Sequence, residues 1–324
     1  MPLPRRAFTL IEMLITIGLI LLLASLIIVA LRGVRGAANR LVSNNALRQM
    51  CTAYNTYSAD NEQQLMPGYV STTKLRDLGI NPRMWNGVPL NDPTDPDWDD
   101  PNDASSYVWR LAPYLAHDWK VMFVDYRSRE LTGKLTGEFD DGIYGPGTAS
   151  TAGMGISLIP SFGLNSILVG GDNVHGGTDI TDRNPWDNPG NKLAATRFSE
   201  VKNPSRLIIF APSVHYGERD DDPDNDIIKN RPVGNLYFGY PELRPPFIEG
   251  LRQWHIENNE VVADGDFEAT DAKTRHIGGG WPIARWDQSK LPVGHLDGSV
   301  TTEYINNLAQ DMSKWNPFDI GFDQ

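Results

Sequence analysis

Apolar and polar positions divide this chain into two unequal parts. From Met13 to Leu31 nearly every side chain is apolar. As a helix at ~1.5 Å per residue that run is roughly 28 Å long, close to the ~30 Å hydrocarbon core of a bilayer. Helical spacing continues past it: Val34, Ala37 and Leu41, then Leu47, Met50, Cys51, Tyr54 and Tyr57, fall roughly on one stripe. No Pro interrupts Met13 to Gln64, and Pro67-Gly68 supplies a stop. The pattern predicts one helix from Phe8 to about Gln64, roughly 85 Å long. It comprises a transmembrane part at 8–31 and an amphipathic stem at 32–66, with Gly18 a weak point. The same pattern also fits a membrane helix and a separate soluble helix, broken at Gly33 or Gly36.

Beyond residue 66 the pattern shortens. Strand candidates are Ser106–Leu111, Gly155–Pro160 with Phe162–Asn165, Arg206–Ala211, Asn235–Tyr240 and Pro292–Ile305. Polar, Pro-rich loops separate them at Asn91–Asp103, Gly176–Asn191 and Glu218–Arg231. No repeat of solenoid period is present. With 30 Gly, 23 Pro and nine Trp, residues 67–324 read as a loop-rich antiparallel β head. The fold class is therefore α+β, with a long N-terminal helix packed on that head. The stem's stripe is expected to pack part of its length there.

Charge is split just as unevenly. Residues 1–50 hold six Arg, no Lys and one acid, Glu12, for +5; the total is −12, so the remainder carries −17. A pI of about 4.9 argues against nucleic acid as a partner. The single cysteine, Cys51, excludes an intramolecular disulfide and is expected to fill core space on the stem.

Glu12 stands out chemically. A carboxylate at the edge of hydrocarbon is costly, so its presence there points to function. A secretory signal peptide, cleaved near Ala30 or Gly33, would have no need of it; a simple signal anchor with an accidental acid is the other plain alternative. Arg5-Arg6-Ala7 followed by Phe8-Thr9-Leu10-Ile11-Glu12 resembles the processing site of type IV pilins and type II secretion pseudopilins. The resemblance implies that a prepilin peptidase cuts between Ala7 and Phe8, releasing a 1–7 leader, and that the Phe8 amine is then methylated. It also implies that Glu12 of one subunit faces the Phe8 amine of the next. Each charge is costly alone in an apolar core, and pairing offsets much of that cost. Glu12 would then set the register of assembly. This chain has Ala7 where the family usually has Gly, and Val29 where it often has Pro, so a straighter helix is expected.

Ser43–Met50, Tyr54, Tyr57, Asp60-Asn61 and Leu65–Pro67 add a second resemblance, to the large-headed prepilin-type proteins of planctomycetes and verrucomicrobia. Ser161–Asn165, Val201–Phe210, Arg275-His276 with Gly278-Gly279, and His295–Val300 are similar to segments of the same group. The implied function is structural rather than enzymatic: a subunit of a type IV pilus-like or type II secretion pseudopilus filament. The implied partners are copies of itself, prepilin peptidase, other pilin-like subunits, the inner-membrane assembly platform and membrane lipid. The anchor would lie in the inner membrane and the head in the periplasm. Arg5 and Arg6 suit the cytoplasmic side. Arg32, Arg35 and Arg40 would meet lipid phosphates, acids of neighbouring subunits, or only solvent. The rival reading is a membrane-anchored binding protein or hydrolase that never polymerises.

Within the head, His255, His276 and His295 fit no compact metal-ligand spacing, and no Gly-x-Ser-x-Gly elbow accompanies them. Asp297-Gly298 reads instead as a tight hairpin turn, which His276 could hydrogen-bond. Trp85, Trp98, Trp254, Trp281, Trp286 and Trp315 suit either a glycan-binding surface or a core. Asp95, Asp97 and Asp99, and likewise Asp222, Asp224 and Asp226, each alternate carboxylates in a D-P-D-x-D loop. Such loops are candidate Ca²⁺ ligands, and family pseudopilins bind Ca²⁺ in the head, but solvated acidic loops read the same. Melting with and without Ca²⁺ separates the two: a rise in Tm that a chelator reverses assigns an ion site, and an unchanged Tm leaves solvated loops.

Overall fold

The computed structural model describes residues 10–68, 106–116, 118–124, 160–171, 194–215, 239, 241–248, 251–252, 254–257, 260–263, 279–284 and 289–318. The chain divides into two compact units, Met1–Val42 and Ser43–Gln324. One helix, α1, runs through Leu10–Asp60, 51 residues. It is helical through Gly18, Gly33 and Gly36, so no break separates two helices. Among the described residues, no helix is long and apolar enough to cross a membrane; the predicted span runs into residues 26–35, whose side chains lie outside the described set.

The helix stops before the expected Gln64. Glu62 and Gln63 take left-handed conformations (φ 54° and 63°) and turn the chain away. Asn61 caps the end, its Nδ2 donating to the Tyr57 carbonyl at 2.8 Å. Leu65 N–H then donates to Thr196 O at 2.8 Å, holding the turned segment in place.

The expected stripe holds only from Ser43 onward. Leu47, Met50, Cys51, Tyr54 and Tyr57 are all buried, whereas Ala37 is exposed and Leu41 is 69% exposed. The second unit's core is thus partly built from the helix itself.

The segment Ser106–Leu111, expected as a strand, is instead a short helix, α2, at Tyr107–Leu111. Ser106 caps it by accepting from Val108 N–H, and all five helical residues are buried. A backbone buried on every side must satisfy its own polar groups, which a capped helical turn does locally.

The strands are β1 (Phe162–Leu164), β2 (Ile208–His215), β3 (Phe247–Ile248), β4 (Leu251–Arg252), β5 (Trp254–Glu257), β6 (Glu260–Ala263), β7 (Gly279–Pro282), β8 (Lys290–His295) and β9 (Val300–Tyr304), followed by helix α3 (Ile305–Gln310). Five form an antiparallel sheet in the order β1-β2-β8-β9, with β7 also on β2. Two separate hairpins, β3-β4 and β5-β6, complete the described sheet structure. The α+β class is therefore as the sequence implies. Strand β2 begins two residues later than the expected Arg206 and continues to His215. Its Ile208–Ala211 run is buried throughout, as befits a strand with neighbours on both edges. The expected strand at Pro292–Ile305 is the β8-β9 hairpin, paired from Lys290↔Tyr304 to Gly294↔Val300. Gly155–Ile159, Asn235–Phe238 with Tyr240, and the three expected loops lie outside the described residues.

Helix and sheet meet at aromatic rings and one missing side chain. Tyr54 packs edge-on to Phe210 of β2, with ring centroids 5.8 Å apart, and Tyr107 lies 5.5 Å from the same ring. Met66 N–H donates to the Tyr54 hydroxyl at 3.1 Å, and the Tyr107 hydroxyl donates to Phe162 O at 2.6 Å. Gly294 of β8 faces Cys51, and a Cβ there would overlap the cysteine sulfur. The hairpin can approach the helix only because position 294 has no side chain.

Gly294→Ala is expected to destabilise by about 1–3 kcal/mol through overpacking. In a Cys51→Ala background the same change should cost under about 1 kcal/mol. Denaturant unfolding of the double-mutant cycle checks this; equal costs in both backgrounds would contradict the contact.

Candidate assembly site and closing hairpin

Glu12 lies in the first turn of α1 and is exposed. Around it and after it, large apolar side chains are exposed on all sides of the helix. Leu10 is 83% and Ile11 70% exposed, and Leu14, Ile20, Leu21 and Leu22 are each above 60%. Surfaces of this kind mark an interaction with protein or membrane. The two hydroxyls in the stretch are satisfied within the helix. Thr16 Oγ1 donates to Met13 O at 2.9 Å and Ser25 Oγ to Leu22 O at 2.7 Å. Neither needs water, so along Leu10–Ser25 Glu12 is the one charged side chain. Gly18 leaves open space around it and does not interrupt the helix. Ala7 and Phe8 lie outside the described residues.

The second candidate region is the turn between β8 and β9. His295 N–H donates to Ser299 O at 2.9 Å and Gly298 N–H donates back to His295 O at 3.0 Å. Gly298 sits at φ 90°, which a residue with a side chain rarely adopts. Asp297 Oδ1 accepts from the Ser299 N–H at 2.9 Å and its hydroxyl at 2.6 Å. The expected structural turn at Asp297-Gly298 is therefore present. It sits beside α1, where a Cβ on Gly298 would come 3.3 Å from Asn55 Nδ2. The turn is also tied to the segment before β2, since Leu296 N–H donates to Leu207 O and Asp297 N–H to Pro204 O.

His295 is buried, with Nε2 2.8 Å from Thr301 Oγ1. Thr301 Oγ1 also lies 3.4 Å from a Glu303 carboxylate oxygen, to which its hydroxyl donates. Glu303 also pairs with Lys314 at 2.7 Å. Burial is the largest influence on the imidazole and holds its pKa below the ordinary value; a backbone bond to Arg206 and the carboxylates of Asp297 and Glu303 pull the other way. Burial likewise pushes the Cys51 thiol up to about 12, with the Asp297 charge adding to it. That cysteine is an inert core residue, as its place on the stem suggests.

The three histidines do not form a described site. His255 lies on β5, His295 closes β8, and His276 is outside the described residues. Among the described residues no cluster of three His, Cys, Asp or Glu side chains could hold a metal ion. All six aspartates of the D-P-D-x-D loops lie outside those residues. Trp254, Trp281 and Trp315 are core residues, not surface ones. The Trp254 and Trp315 rings meet at 6.2 Å, and their indole N–H groups donate to Arg244 O and Leu308 O. Trp85, Trp98 and Trp286 are outside the described set.

Several structural pins carry no local sequence signal. Buried Arg110 donates to the carbonyls of Pro67 and Gly68, fixing the chain just after α1. Glu242 and Arg244 form a buried ion pair at 2.8 Å, with the guanidinium over Trp281. Asn165 donates to Ile208 O and Trp315 O, joining β1 to the C-terminal segment. No protein-family model, curated protein or solved structure matches this chain.

Because the folded His295 favours its neutral form, its contribution to stability is present above the unfolded pKa of ~6.5 and is lost as pH falls below it. Thermal unfolding at pH 7 and pH 5 should therefore show a drop in Tm that is smaller in His295→Gln. An identical drop in the variant would contradict this assignment.

Proposed function

We propose that this chain is a structural subunit of a type IV pilus-like or type II secretion pseudopilus filament. One observation carries the reading. A single helix of 51 residues begins in exposed apolar side chains and ends as part of a globular core. The first half calls for an apolar environment. The second half fastens that unit to the same continuous helix. Glu12 in the first turn is the polar feature such a helix would use to select its register.

In this reading prepilin peptidase removes residues 1–7, and the apolar helix waits in the inner membrane with the head in the periplasm. Copies then stack helix on helix, aided by other pilin-like subunits and the assembly platform. Phe8 and Glu12 are four residues apart in the sequence, the spacing of about one turn in a helix. A rise of one subunit along the filament brings the amine of one copy beside the carboxylate of another, and each neutralises the other's desolvation cost. The head performs no chemistry here; the hairpin, the tryptophans and Cys51 are structural parts. Calcium in the two acidic loops is a compatible addition.

Glu12→Ala is expected to leave cleavage intact and to reduce filament number at least about tenfold. Electron microscopy of filaments beside immunoblots of the processed protein checks it. Normal filaments from the variant would refute the register role.

A further inference from the structure

Strand β9 lies at the edge of the five-stranded sheet: among the described residues it pairs with β8 alone. Thr301 and Thr302 are exposed, and Tyr304 is 49% exposed. The bonds at the two ends of the hairpin fix which backbone groups face outward. Ser299 O accepts from His295 N–H at one end, and Ser289 O accepts from Ile305 N–H at the other. Bonded pairs alternate along an antiparallel ladder, so Thr301 and Glu303 turn their backbone groups to β8. Val300 and Thr302 turn N–H and C=O away from it. Tyr304 turns its N–H away, while its C=O opens helix α3 as the N-cap. Such an edge templates pairing with another chain unless Pro, Lys or a bulge blunts it. β9 reads Val-Thr-Thr-Glu-Tyr in unbroken register with β8 and has none of the three.

The same five residues say which chain fits. The outward groups centre on Thr302, so a second β9 can lie antiparallel to the first about a two-fold axis at that residue. The two Thr302 residues then exchange N–H and C=O, and each Val300 O accepts from the other copy's Tyr304 N–H. The side chains match in that register: Val300 meets Tyr304, Thr302 meets Thr302, and Thr301 meets Glu303, all favourable cross-strand pairs. Glu303 thus lies opposite a threonine and not a second carboxylate, and it already holds Lys314 at 2.7 Å. We propose that β9 is a docking edge for β9 of a second copy, the two sheets joining antiparallel in a closed pair centred on Thr302. A two-fold contact leaves no β9 edge for a third copy. It goes beyond the filament reading, because subunits stacked in one direction are not related by such an axis.

Single cysteines on the full-length chain in detergent micelles test the register; the native Cys51 is buried and does not compete. Opposed residues of an antiparallel ladder have Cα atoms ~4.5–5.5 Å apart, inside the ~4.4–6.8 Å range of a disulfide. Dioxygen with copper phenanthroline as catalyst takes two electrons and two protons from each thiol pair. It should join Thr302→Cys to itself. In an equal mixture of Thr301→Cys and Glu303→Cys chains, peptide mass spectrometry should find the 301–303 product at least about fivefold above the 301–301 and 303–303 products. Adding Thr302→Pro to both chains should remove that preference, because proline deletes the outward N–H and spares the bonds to β8. Should proline lower the Tm, the products of the three cysteine variants decide the matter alone. Monomers only, equal yields of the three products in the mixture, or a preference that a folded proline variant keeps would overturn the proposal.

Discussion

A helix that exposes apolar side chains on every side leaves a large free energy of burial unrealised in water. Burying one large apolar side chain is worth about 1.5–3 kcal/mol, and α1 leaves eleven exposed between Leu10 and Leu23. Everything else in the account depends on where that surface goes. The helix supplies no partner for itself. The intrahelical bonds of Thr16 and Ser25 remove the only hydroxyls that would prefer solvent along Leu10–Ser25. What remains is a surface fit for lipid or for other helices, with one carboxylate at its edge.

The globular unit is organised around the same helix. Tyr54 meets Phe210 of the central strand, Cys51 meets the bare backbone of Gly294, and Asn55 meets the turn at Gly298. The β8-β9 hairpin is therefore braced against α1 at its closed end, and Asp297, Ser299 and His295 hold that end in shape. Arg110 fixes the exit of the helix from the far side of the sequence.

Local signals made much of this legible in the sequence. The absence of Pro up to Gln64 gave a continuous helix, and Asp-Gly between alternating apolar residues gave the hairpin turn. The 47-50-51-54-57 spacing gave the buried face, with Cys51 on it. The same stripe was expected to take in Ala37 and Leu41, yet both are exposed: Leu41 stands six positions before Leu47, not three, four or seven, which turns it off the buried face. Ser106–Leu111 read as a strand because Tyr, Val and Trp favour strands, yet a capping serine and burial on all sides favoured a helical turn. The helix end was missed because two non-glycine residues, Glu62 and Gln63, adopt left-handed backbone held by contacts far along the chain. Asn165, Arg110 and the Glu242–Arg244 pair act through partners that no short window contains. Of the candidate site, Glu12 was readable as a charge out of place and the hairpin as a turn. The acidic loops and the processing residues fall outside what the structure describes.

The central claim is that the apolar helix is a processed assembly element and not a removable signal or a passive anchor. The mass of the mature amino-terminal peptide, isolated from the membrane fraction of cells making the full chain, tests it most directly. The account predicts a peptide that starts at Phe8 and is heavier by one methyl group. An intact Met1, or a start near Gly33, would contradict it.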